Sequence, residues 1–168
     1  MRRLLLAALI CPLPSLAAQA TPLRIELPGR SVVEFSVESL RRLRGDTISF
    51  AAHGAPAVRY RAVRIADVLA AAGRPLDSLR TGHAGWIVAA LARDGYSAIF
   101  TAAELDSTLG PSRAWLAFAR DDGPLLAEEG PYRLIVPTDR KASRAAHQVV
   151  TLRVLDALPS PGGAAHRH

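Results

Sequence analysis

The chain has 168 residues, 21 basic against 15 acidic for a formal charge of +6, and a hydrophobic content of 49%. That length and apolar content suit one domain with a sizeable single core. The charges are scattered and aromatics make up only 5% of the chain, which argues against a nucleic-acid-binding surface.

The first twenty residues read as an export signal. Met1-Arg2-Arg3 is a short basic start, residues 4–10 are uniformly apolar, and Ala18-Gln19-Ala20 has the small-x-small form that signal peptidase accepts. The apolar run is too short, and too interrupted by Pro12 and Pro14, to span a bilayer. A lipoprotein reading of Cys11 needs a small residue before it, and Ile10 is there. Cleavage near Ala20 leaves about 148 residues and +4 of formal charge, and places the product in the periplasm or outside the cell. It also removes Cys11, the only cysteine, so the mature protein has no thiol for disulfides, metal ligation or nucleophilic chemistry. Twenty of the 21 basic residues are arginine. Arginine codons of a GC-rich genome account for this, and so does a surface suited to anions, because guanidinium forks match oxyanions.

Residues 23–27 alternate apolar and polar with period two and predict a strand; Pro28-Gly29 turns the chain, and 31–37 alternate again, giving a hairpin. Residues 37–43 predict a short helix stopped near Gly45, 47–51 a strand, and His53-Gly54-Ala55-Pro56 a loop. Over 63–72, Ile65, Val68, Leu69 and Ala72 form a helical apolar face that Gly73 and Pro75 terminate. Residues 86–91 and 96–100 predict two strands joined at Asp94-Gly95. Thr101 and Glu104 have capping-box spacing for a short helix. Strands follow at 115–119, 134–136 and 149–155, with an acidic turn at 121–124 after the first. The Pro/Gly/Ala-rich 158–168 read as a disordered tail. The expected fold is α+β: a strand-rich mixed sheet with short helices in one domain over 21–157.

Four segments in register resemble one family. Residues 60–73 (YRAVRIADVLAAAG), 94–100 (DGYSAIF) with 103–105 (AEL), 122–125 (DGPL) and 130–137 (GPYRLIVP) are similar to motifs of the oxidoreductase molybdopterin-binding domain of sulfite-oxidase-like enzymes. The resemblance covers about residues 23–156. It implies a sulfite-oxidase-type fold, a molybdopterin cofactor and a periplasmic redox partner, in a short exported member without added dimerisation or haem domains. In catalytic relatives a cysteine thiolate binds molybdenum from the loop before the tyrosine segment. Here that loop, 51–58 (AAHGAPAV), has no cysteine, and Ala62 replaces the usual glycine. Soft thiolate donation helps set the potential of such a centre, and imidazole does not reproduce it. Catalysis is therefore not secured, and no metal ligand is assigned.

Two sets of residues are candidates for a cofactor or anion site. His53 stands in the register of the missing thiolate; as a ligand-site residue it would orient a pterin, and otherwise it is a loop histidine. Arg133, Asp139, Arg140, Lys141, Ser143 and Arg144 flank the strand at 134–136 and match the stretch with which the family holds the pterin phosphate. The same residues also read as a charged, solvated turn. Arg133 leads this set, because an arginine inside an apolar strand needs a partner to offset its desolvation. If the cluster holds an anion, Arg144→Ala weakens binding and spares folding. Elsewhere Asp94 and Tyr96 are assigned to turn chemistry and core packing, Asp67 to a solvated helix face, and Glu128-Glu129 to an exposed acidic loop. His83 is a loop histidine, and His166 and His168 are weak metal candidates. Two functions stay open: an exported molybdopterin-binding protein of oxidoreductase type, holding a pterin or similar small anion, or a non-catalytic ligand- or partner-binding module on the same scaffold.

Overall fold

A computed structural model describes residues 21–52, 54–76, 85–109 and 114–156. The leader, His53, His83 and the tail with His166 and His168 lie outside the described residues, as do the expectations placed on them.

The strand pattern builds two mixed or antiparallel sheets, and the α+β expectation holds. The first sheet has the order β2 (Val33–Phe35), β1 (Leu23–Glu26), β10 (Val149–Asp156), β5 (Trp86–Ala92), β6 (Ser97–Thr101). β1 and β10 run parallel and its other pairs antiparallel, so the two ends of the domain are laced side by side. The second sheet joins β3 (Gly45–Phe50), β4 (Val58–Arg64), β7 (Trp115–Arg120) and the two-residue β8 (Gly123–Pro124), with β9 (Arg133–Ile135) also on β7. β4 is an addition to the expected elements, although Val58, Tyr60 and Ala62 alternate with Arg59 and Arg61, and the helix expected from residue 63 starts at Ile65, as α2 (Ile65–Ala71).

The main core lies between the sheets. Leu23, Ile25, Val88, Phe100, Leu152 and Val154 of the first meet Val63, Leu116 and Leu134 of the second, with α2 closing the side. A smaller apolar cluster covers the outer face of the second sheet, formed by Phe50, Tyr60, Ala62, Trp115, Ala117 and Ile135. β7 is thus buried on both faces, and the period-two signal disappears from its sequence. Its register against β4 steps from Arg61↔Ala119 to Ala62↔Ala117, leaving Phe118 as the extra residue of a β-bulge.

Local signals explain the short elements. Ser36 caps α1 (Val37–Arg41) by accepting from Ser39 N at 3.1 Å. Thr101 and Glu104 form the reciprocal capping box of α3 (Ala102–Leu105). Gly73 ends α2 at φ +86°, where its N–H reaches Ala70 O at 2.9 Å and Arg74 N reaches Leu69 O at 2.8 Å. Arg74 then lies 3.3 Å from the centroid of the Trp86 ring.

Candidate functional site

The residues singled out around β9 separate into two ion-pair centres and an exposed turn. The first centre lies beneath the outer cluster of the second sheet. On β4 and β7, Tyr60 and Arg120 are cross-strand neighbours, and Arg133 on β9 stands opposite Ala117. Strand alternation turns Arg133 to the same face as Ile135, toward Phe50 and Tyr60. The fourth member, Glu129, is held by its backbone: its N–H donates to Leu126 O at 2.9 Å, and its carbonyl accepts from Gln148 N at 2.9 Å.

Glu129 is 3% exposed, which corrects its placement in an exposed loop; its neighbour Glu128 is exposed, as expected. Its Oε1 accepts from the Tyr60 hydroxyl at 2.7 Å and from Arg133 Nη1. Its Oε2 accepts from Arg120 Nε at 2.9 Å and from Leu126 N at 3.3 Å. Arg133 Nη1 also donates to the Tyr60 oxygen at 2.6 Å. Burial alone would raise the Glu129 pKa, but hydrogen bonds from Arg120, Tyr60 and Leu126 and the Arg133 charge outweigh it and hold the carboxyl at about 2. Burial, together with the bond to Glu129, pushes the Tyr60 hydroxyl upward. Glu129 stays ionised and Tyr60 neutral around pH 7. A proton-transfer catalyst needs a pKa near the working pH, so this quartet is built to hold charge rather than to move protons.

Arg133 does have the partner that its burial requires, and that partner is internal. One donor, its Nε, is buried without an acceptor among the described residues.

The second centre is Arg144, in the 3₁₀ turn Ala142–Arg144. Its Nε and Nη2 form a fork on Asp139 at 2.8 and 2.6 Å, and Nη1 reaches Glu104 of α3 at 2.6 Å. The guanidinium also lies 4.7 Å from the centroid of the Phe100 ring. The fork holds the Asp139 carboxyl below its ordinary value, and the same bonds raise Arg144 further. Asp139 and Arg144 are therefore brought together, but onto each other. Arg140 and Lys141 project from the turn as exposed cations. Ser143 takes part through its carbonyl, which accepts from the Tyr96 hydroxyl.

Three further expectations change. Tyr96 is 42% exposed rather than a core residue, although Asp94 does cap the turn by accepting from Tyr96 N at 2.9 Å. Asp67 is half-buried and takes a two-pronged bond from Arg64 at 2.8 and 2.7 Å, so it is not a free solvated group. Glu104 has a second role, as partner of Arg144, which its capping position did not announce. Arg133 points to an acid such as Glu129, four residues away, as a candidate partner, but no sequence signal marks Tyr60, 73 residues away.

Fold and site together define an α+β two-sheet domain whose internal arginines are neutralised by its own carboxylates. The sequence matches no protein-family model and no curated protein. No helix among the described residues is long and apolar enough to cross a membrane.

Proposed function

We propose that this chain is an exported, non-catalytic binding module on a sulfite-oxidase-type scaffold, holding a small anionic ligand rather than a cysteine-ligated molybdenum. The observation that carries this reading is the pairing of Arg133 with Glu129 and of Arg144 with Asp139 and Glu104. Arginines that the resemblance assigns to a cofactor are engaged inside the fold. The donor set does not fit the metal centre either. Residues 51–57 offer no thiolate, and among the described residues no group of three or more His, Cys, Asp or Glu is placed to hold a metal. These residues supply no basis for an oxygen-transfer step.

A second reading, a pterin bound through its phosphate, is favoured by Arg140 and Lys141, which have no carboxylate partner among the described residues. Metal analysis and pterin fluorescence of protein purified from its native source separate the readings. Protein free of both molybdenum and pterin is the expected result. Stoichiometric molybdenum overturns the proposal, and pterin without metal selects the second reading.

A further inference from the structure

Beside β4 and β7, two hollows of about 480 and 550 Å³ share Arg41, Arg61 and Phe118 as lining, and the second extends to Arg120 of the Glu129 quartet. One continues along β3 past Leu43 and Thr47, the other past Val37 and Leu125. Among the described residues, neither the Arg41 nor the Arg61 guanidinium has a hydrogen bond or ion pair. The other charges on the rim are mostly engaged. Arg120 is held by Glu129, Asp121 pairs with Arg59 at 3.4 Å, and Asp46 accepts from Thr47 N at 2.7 Å. Asp122 is exposed at the far end of the second hollow. The β-bulge of β7 falls at Phe118 itself, so the register irregularity brings this ring to the junction of the two hollows.

The geometry points to a binding groove for a small organic monocarboxylate with an apolar body. Guanidinium forks match a carboxylate and are free to be recruited here, since no internal bond has to break. Phe118, Leu43, Val37 and Leu125 supply apolar lining for the rest of the ligand, and each hollow has the volume of a small-molecule site. The carboxylates at both ends set the charge. Asp46 in the first hollow and Asp122 in the second, neither paired with a cation among the described residues, repel a polyanion, so a single negative charge is favoured over phosphate.

This inference rests on the reading of the chain as a binding module and gives that module a ligand class. Metal-free, pterin-free protein is therefore used, so that failure here is distinct from the molybdenum result. Titration calorimetry with 3-phenylpropionate is expected to show saturable binding, with Kd on the order of 0.1–1 mM. The uncharged 3-phenylpropanamide should bind at least about tenfold more weakly. Arg41→Gln and Arg61→Gln should each lose about tenfold in affinity with unchanged thermal midpoints, because both side chains are exposed and unpaired. The Arg140→Gln/Lys141→Gln double variant should bind as the parent does. Absence of saturable binding, parental affinity in both groove variants, tighter binding of inorganic phosphate, or loss confined to the Arg140/Lys141 variant each overturns the assignment.

Discussion

Replacing Glu129 by glutamine removes the one negative charge on which Arg120, Arg133 and Tyr60 converge. The side chain keeps its size, so packing changes little and the electrostatic cost dominates. A carboxyl held at about 2 against an ordinary 4.5 corresponds to roughly 3 kcal/mol of favourable interaction in the ionised state. Arg133, only 6% exposed, would be left buried without its counter-charge, a situation that costs about 3–5 kcal/mol in comparable pairs. The expected loss near pH 7 is therefore about 3–4 kcal/mol. The depressed pKa also fixes the sign of the pH dependence. The contribution is complete above the unfolded value of 4.5 and disappears as pH falls toward 2, so parent and variant stabilities should converge across that window. Denaturant unfolding of both proteins at pH 7 and pH 3 measures the gap. A loss under about 1 kcal/mol at pH 7, or a gap that does not narrow at pH 3, refutes the argument.

Arg144→Ala tests the second centre and revises the expectation that this change spares folding. With Asp139 and Glu104 both losing their partner at a site that is 29% exposed, thermal unfolding should register a loss of about 1–2 kcal/mol, and an unchanged midpoint would show that the fork is dispensable. Gly73→Ala should cost about 1–2 kcal/mol in the same assay. The new Cβ must adopt φ +86° and sits 2.9 Å from Arg30 Nη1, whose bond to the Gly73 carbonyl would be displaced.

Where a signal is local, the sequence carried it. The alternation of 23–27 and 149–155, the Asp94-Gly95 turn and the Thr101/Glu104 box all appear as read, because each depends on side chains within a few residues of one another. The alternation of Val58, Tyr60 and Ala62 against Arg59 and Arg61 is a strand signal in 58–62. It breaks at Ala62-Val63, where the strand is buried on both faces and runs directly into α2, so the helical period of 65–72 masked it. The candidate site was legible only in part. The need of Arg133 for a partner follows from its place in an apolar strand, but the identity of that partner does not.

From the chain alone came the strand-rich α+β class, most element positions, the absence of a thiol beyond Cys11 and the density of arginine. Tertiary structure alone decided which arginines are occupied. Glu129 lies 69 residues from Tyr60 and 9 from Arg120, and Arg144 lies 40 from Glu104. Periodicity and composition are blind to such pairings. A carboxylate can be buried only where cations from other strands arrive to replace its water, and strand register sets which cations those are. The same register leaves Arg61 unclaimed beside Phe118, as the end of α1 leaves Arg41, because no acid among the described residues is carried within bonding reach of them.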